Sequence, residues 1–388
     1  MREGSIASAR TLAVEPSPIR KLVDAISATA GVVGLHVGEP DFDTPAHIKR
    51  AATEALNAGY THYTNTAGIP ELRAAIAQKL KMENGIDVDP ENEVLVTHGG
   101  YAAIYLSLQA LVDAGDEILL IEPAWTYDGF IALAGGIKVP CDLYGPSFKL
   151  TRDHLESKVS DRTKLILVSS PNNPTGNMFS REELEIVAEV AKRRNLLVLS
   201  DEVYEKLVYD GLRHYSVASL PDMSDRTITV NSFSKTYAMT GWRIGYAAAS
   251  KEVVTAVKKI AAYGYGCINA VVQKAAVEAL TGPQDCVREM LKEYDLRRHL
   301  IVRGLNEISG IECAKPKGAF YAFANISSFK LSSQELAATL LQKAKVATIP
   351  GSAFGSSGEG YLRISFATSQ EKIVEGLDRI GKFVEALE

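Results

Sequence analysis

Between about residue 94 and residue 230 the chain alternates short apolar runs with helical stretches, and few folds accept that pattern. The runs are Val94–Thr97, Glu117–Ile121, Ile137–Cys141, Lys164–Ser169, Leu196–Ser200 and Thr227–Val230. The stretches between them carry helical apolar spacing, and one is opened by a capping box, Ser180-Arg-Glu-Glu183. Strands alternating with helices predict an α/β fold with a mostly parallel central sheet and helices on both faces. Such sheets hold ligands beyond the carboxyl ends of their strands. Unusual polar residues and glycines follow those ends here: Gly99, Gly100 and Tyr101, then Asn173, then Asp201 and Tyr204, and finally Ser232, Ser234 and Lys235. Polar residues scattered over a surface would not gather at strand ends of one polarity, so a single crevice is expected.

The stretch from Asn231 to Gly245 says most about what the crevice holds. Lys235 sits among hydroxyls, with Ser232 and Ser234 close by and Arg243 following. Hydroxyls and a guanidinium suit a phosphate dianion, because both donate to its oxygens and arginine adds opposite charge. An amine beside a bound phosphate points to a Schiff base with an aldehyde, and pyridoxal phosphate carries both groups. Ser232-x-x-Lys235 also matches the serine–lysine pair of penicillin-binding acyltransferases. That class needs Ser-Asp-Asn and Lys-Thr-Gly elements as well, and neither string occurs.

The other strand-end residues can be given tasks within this reading. Gly99-Gly100 opens a helix whose N–H groups can face a phosphate, although a tight turn alone would explain the pair. Asp201 ends an apolar run, so its carboxylate needs a cation, and a pyridinium N–H supplies one; an ordinary helix cap is the plain alternative. An opposite charge at about 4 Å is worth on the order of 4 kcal/mol at an effective dielectric of 20. Asn173 and Tyr204 can donate to a ring oxygen, or they are a turn asparagine and a core tyrosine. Trp125 can stack on a planar ring or fill the core.

Composition narrows the partners. The 388 residues carry a net charge of −5 with 46% hydrophobic and 23% charged residues, which is globular and gives no reason to expect nucleic acid or an anionic membrane. No apolar run reaches the roughly 18 residues of a membrane span, and the first ten residues lack the apolar core of a secretory signal. Cys141, Cys267, Cys286 and Cys313 are widely spaced, so they read as free thiols in a reducing cytoplasm and not as a metal site. Neither G-x-G-x-x-G nor a Walker-type loop is present.

The flanks complete the outline. A helical arm is expected over residues 1 to about 35, with a break at Pro16-Ser-Pro18 and a helix over Ile19–Ile26. Leu35 to Pro45 reads as a stiff loop, and helices are expected from Ala46 and from Pro70. Residues beyond Ala249 read as helical, with a long helix from about Pro283 stopped by Gly310. Tyr361–Phe366 alternates, placing Arg363 on the face opposite Leu362, Ile364 and Phe366. The expected division is a large unit over residues 46–285 and a smaller α+β unit of residues 1–45 and 286–388.

Taken in order, Gly38-Glu-Pro-Asp-Phe42, Tyr63 with Gly68, Gly99-Gly100, Asn173-Pro-Thr-Gly176, Asp201-Glu-Val-Tyr204, Ser232-Phe-Ser-Lys235 with Arg243, and Arg363 make the chain resemble the class I/II aminotransferases over essentially its whole length. These are fold type I pyridoxal phosphate enzymes related to aspartate aminotransferase. The resemblance implies that Lys235 is the Schiff-base lysine and proton carrier, that Asp201 partners the pyridine nitrogen, and that Asn173 and Tyr204 hold the ring oxygen. It implies a phosphate cup of Ser232, Ser234, Arg243, Gly99, Gly100 and Tyr101, with Trp125 stacked on the ring. Arg363 would clamp the substrate carboxylate beside Gly38 and Asn173. Tyr63 would reach the phosphate of a neighbouring subunit, which implies a homodimer. The implied activity moves an amino group from an L-amino acid to a 2-oxo acid by a ping-pong route in a cytoplasmic, biosynthetic enzyme.

The donor is left open. Some aspartate and prephenate aminotransferases of the family carry lysines where this chain has Tyr101 and Glu15, and their absence weakens an acidic-substrate reading without excluding aspartate. Tyr101, Trp125, Tyr127, Tyr263, Tyr265 and Phe354 are candidates for an apolar donor pocket. A carbon–sulfur β-lyase and a non-catalytic effector domain remain as alternatives at this level.

Overall fold

The computed structural model describes residues 6–14, 19, 23, 26 and 29–386. The expected break at Pro16-Ser-Pro18 lies outside them, as do Glu15 and most of the helix expected over Ile19–Ile26. Strands are numbered along the chain: β1 Val33–Gly34, β2 Val94–Thr97, β3 Glu117–Glu122, β4 Ile137–Asp142, β5 Thr163–Ser169, β6 Leu197–Asp201, β7 Thr227–Ser232, β8 Gly245–Ala248, β9 Glu312–Cys313, β10 Tyr321–Asn325, β11 Val346–Ala347, β12 Ile349–Pro350 and β13 Tyr361–Ser365.

Among the described residues, β2 to β8 form a seven-stranded sheet in the order β2-β8-β7-β6-β5-β3-β4. Strands β4, β3, β5, β6 and β7 pair parallel, while β8 runs antiparallel between β7 and β2. Each apolar run read from the sequence is a strand of this sheet. The inner strands are continuous runs of Leu, Ile and Val because both of their faces are covered. Leu119, Ile166 and Val198 point into one apolar cluster, while Ile118, Leu165 and Leu199 point into another on the opposite face. Pro140 is tolerated because β4 is an edge strand. The capping box forms: Ser180 Oγ accepts from Glu183 N at 3.2 Å, and Glu183 Oε2 accepts from Ser180 N at 2.8 Å.

A four-stranded antiparallel sheet, ordered β12-β13-β10-β9, lies toward the C-terminus. Arg363 on β13 stands opposite Phe323 and Ile349, whose side chains join a cluster of the large sheet. Leu362, Ile364 and Phe366 join a separate cluster, so the alternation read from the sequence separates the two faces as expected. The pair β1–β11, parallel through Val33–Val346, fastens the N-terminal segment to the same region. The long helix Asp285–Asn306 stops four residues short of Gly310. Asn306 ends it, because its side chain donates to Cys313 O at 3.0 Å and accepts from Cys313 N at 2.8 Å, pinning β9.

Two buried polar joints fix the site's supports. Arg298, fully enclosed, donates to both oxygens of Asp210, to Asp295 and to Pro316 O, and lies 4.3 Å from the centre of the Tyr209 ring. It ties the long helix to the segment leading into β10. Glu205, four residues after Asp201, is bonded to Lys79 and accepts from Asn84 Nδ2 at 2.6 Å. Burial alone would raise the Glu205 carboxyl, but Lys79, His214 and Asn84 outweigh it and hold the group down to about 2. A depressed carboxyl stabilises the fold above its unfolded value and loses that contribution as pH falls toward the folded one. Glu205→Gln is therefore expected to cost about 3 kcal/mol at pH 7, with the gap to the parent closing between about pH 4.5 and 2. Urea unfolding midpoints at stepped pH measure it; a gap independent of pH would contradict the assignment.

Candidate active site

The carboxyl ends of β5, β6 and β7 and the N-terminus of the helix Gly99–Leu111 open into one cavity of about 370 Å³. Asp201, Asn173, Lys235, Ser234, Arg243 and Arg363 all line it.

Lys235 sits on the one-turn helix Phe233–Thr236 directly after β7. Its Nζ donates to Gly38 O at 2.5 Å. Burial, aided by the positive charges of Arg243 and Arg363 and opposed by Glu39 and Asp201, brings its amine down to about 8. A lysine so placed is partly neutral near neutrality and can act as nucleophile or base. Asp201 ends β6, in register with Ser169 of β5 and Val230 of β7. Burial pushes its carboxyl up to about 6 despite a 2.7 Å bond from the Tyr127 hydroxyl and a 3.3 Å bond from Val203 N. It is a carboxylate short of a cation.

Arg363 is 2% exposed. Its Nη1 donates to Asn173 Oδ1 at 3.0 Å and its Nη2 to His36 O at 2.6 Å. The guanidinium lies 4.4 Å from the centre of the Tyr321 ring, 5.1 Å from Phe354 and 5.8 Å from Trp125. Beside it, burial and the Arg363 charge lower His36 to about 4, so the imidazole stays neutral. The Tyr204 and Tyr321 hydroxyls bond each other at 2.8 Å. A side chain at Gly38 would meet the Tyr321 hydroxyl at 2.4 Å, which explains the glycine there.

The opposite end of the cavity suits an anion. Gly99 (φ +78°) turns the chain into the helix, and a Cβ there would come within 2.8 Å of Arg243 Nη2. Arg243, itself at φ +53°, is held by Thr240 O at 2.8 Å. Ser232 caps the lysine helix, accepting from Ser234 N at 3.1 Å and donating to Ser234 Oγ at 2.9 Å. Tyr101, half-exposed, accepts from Trp125 Nε1 at 2.7 Å.

Other expected residues lie elsewhere. Tyr63 is 98% exposed and does not line its own chain's cavity. Tyr263 is 97% exposed, at the surface end of its helix, and Tyr265 packs edge-on against His98, so neither joins the donor pocket. Tyr127 lines the cavity, but its hydroxyl is engaged by Asp201. The sequence reading missed Tyr321 and His36 entirely. Tyr321 is placed by the pairing of β10 with β13, which no local pattern announces.

Residues 30–380 match the model of the family described as aminotransferase class I and II, and the chain belongs to that family. It is 47% identical to an aspartate aminotransferase of Pyrococcus abyssi, across 95% of this chain and 96% of that protein. It is 45% identical to aromatic-amino-acid aminotransferase 2 of Thermococcus litoralis, across 96% of each. The crystal structure of an aromatic aminotransferase from Pyrococcus horikoshii superposes with a TM-score of 0.89 at 44% identity, covering 94% of this chain and 99% of that one. The protein is thus a pyridoxal phosphate-dependent aminotransferase of fold type I, and the lyase and effector readings are set aside.

The cavity's donor set fits that cofactor: an anion cradle at one end, a cation-hungry carboxylate, an amine, and hydroxyl and amide groups between them. Only the neutral amine is nucleophilic, so capture of pyridoxal phosphate by the cofactor-free chain is expected to speed up with pH and level off above about 8. Stopped-flow absorbance measures this rate. After borohydride reduction the label should sit on Lys235, and its appearance on another lysine would overturn the assignment.

Proposed function

We propose that the preferred donor is an aromatic or other neutral L-amino acid, passed on to a 2-oxo acid in a second half-reaction. The carrying observation is the lining of the cavity. Ile19, Val23, Val37, Ile104, Tyr101 and Trp125 line it together with Arg363. Among the described residues, the cations lining it are Lys235, Arg243 and Arg363, and each has a task. None is left for a second carboxylate. The aspartate aminotransferase name of the P. abyssi relative keeps aspartate in the test panel.

In this reading Arg363 binds the donor's α-carboxylate with two parallel N–H bonds, orienting the α C–H toward Lys235. Asn173 and His36 O hold the guanidinium in place before substrate arrives. When bound, the cofactor supplies an aldehyde that accepts the amino group and a ring that takes up electrons. Lys235 Nζ would take the proton from the donor's α-carbon and hold it for return as the amino group is transferred. Asp201 would pair with the pyridine nitrogen, and Tyr204 and Asn173 would hold the ring oxygen. Trp125 would stack on the ring, and Ser232, Ser234, Gly99, Gly100, Tyr101 and Arg243 would hold the phosphate. Residues 46–285 act as the cofactor-binding unit, and residues 1–45 with 286–388 as a smaller unit that brings Gly38 and Arg363. A cytoplasmic biosynthetic homodimer in which Tyr63 reaches the neighbouring phosphate accounts for the tyrosine's full exposure; sedimentation as a monomer at micromolar concentration would count against it.

The deciding experiment titrates the cofactor-loaded protein with single amino acids in the absence of any oxo acid. Phenylalanine or tyrosine is expected to convert the visible band at lower concentration than aspartate, and the reverse order would sink the donor assignment. Arg363→Lys keeps the charge but loses the fork, so kcat/KM should fall by roughly a hundredfold for every donor, chiefly through KM.

A further inference from the structure

Tyr127 has no task in the reaction as described, yet nothing about it is casual. It is completely enclosed, between the end of β3 and the helix Asp128–Ala134. Its hydroxyl is within hydrogen-bond distance of Asp201 Oδ2, at 2.7 Å. Ser169, the register partner of Asp201 on β5, lines the same cavity. Burial and the neighbouring Asp201 charge hold the phenol well above its ordinary range, so it keeps its proton at any working pH. A phenol that always carries its proton can donate to Asp201 throughout the working range.

We propose that Tyr127 is a positioning residue that holds the Asp201 carboxylate ionised and turned toward the pyridine nitrogen. The geometry gives this a mechanism. Val203 N bonds Oδ1 and the Tyr127 hydroxyl bonds Oδ2, so both oxygens are pinned from the protein side. Each carboxylate oxygen has two lone-pair sites, which leaves one on each oxygen for the cavity. Without the hydroxyl the carboxylate is free to rotate, and burial shifts it toward its neutral acid, which does not pair with a pyridinium. Glu202, Tyr204 and Lys235 are the other titratable groups facing Asp201, and Glu202 pushes in the same direction as burial. The proposal rests on the reading that Asp201 meets the ring nitrogen.

The test compares pyridoxal phosphate with its analogue carrying a C–H in place of the ring nitrogen, by equilibrium binding to the cofactor-free full chain. The Asp201 carboxylate can favour only the first. The parent should prefer pyridoxal phosphate, and Tyr127→Phe should weaken it by roughly tenfold while leaving the analogue unchanged. Equal weakening of both would show a packing role and overturn the proposal, as would no weakening of either. Asp201→Asn separates the two layers. If it leaves the preference intact, the nitrogen reading falls and takes the proposal with it. If it abolishes the preference while Tyr127→Phe does not, only the proposal falls. Should the phenylalanine variant fail to fold, 3-fluorotyrosine at position 127, a stronger donor of nearly the same size, must sharpen the preference; an unchanged preference overturns it.

Discussion

Everything at the site depends on a carboxylate placed where water cannot solvate it. Asp201 ends the central strand β6, flanked by parallel strands on both sides. Its burial creates a demand for positive charge in the cavity, and Lys235, one strand over, shares the same low-dielectric space. The two groups are perturbed in complementary ways. The acid is made weaker and the amine less basic, so each sits nearer to neutral pH than it would in water. A cationic group bound beside Asp201 would relieve the first, and the second leaves part of the amine unprotonated and nucleophilic near neutral pH.

The remaining architecture keeps this arrangement from collapsing. The sheet fixes the strand ends by backbone bonding, while charged joints at Arg298 and around Glu205 lock the loops that follow them. Arg363 reaches the cavity from a separate sheet, and its two partners, Asn173 and His36, come from chain segments far apart in sequence. The Arg363 guanidinium is therefore brought to its two partners only when segments from both ends of the chain have folded together.

Much of this was legible beforehand, for identifiable reasons. The sheet could be read because buried parallel strands need unbroken Leu, Ile and Val, as in Lys164–Ser169, and because chain polarity puts their carboxyl ends together. Lys235, Asp201 and Asn173 could be read as strand-end residues of the wrong polarity for their surroundings. What resisted was whatever depends on pairing across long separations. Tyr321 enters the site through the register of β10 against β13, and Tyr127 through a contact with a residue on another strand. The expected donor pocket failed at Tyr263 and Tyr265 because an aromatic-rich segment does not encode where its rings turn: Tyr263 faces outward near the end of its helix, and Tyr265, just past that end, packs against His98.

The cavity's rim differs in kind from its floor. Val37 is 44% exposed and Tyr101 is 49% exposed, whereas Arg363 and Asp201 are enclosed. Surface positions tolerate replacement within about 0.5 kcal/mol, while enclosed charged groups do not. Replacement at Val37 or Tyr101 therefore puts the fold at little risk, whereas replacement at Arg363 or Asp201 strands buried charge. The mouth of the cavity can thus be reshaped at low cost in stability, while its enclosed charges are held fixed by the fold around them.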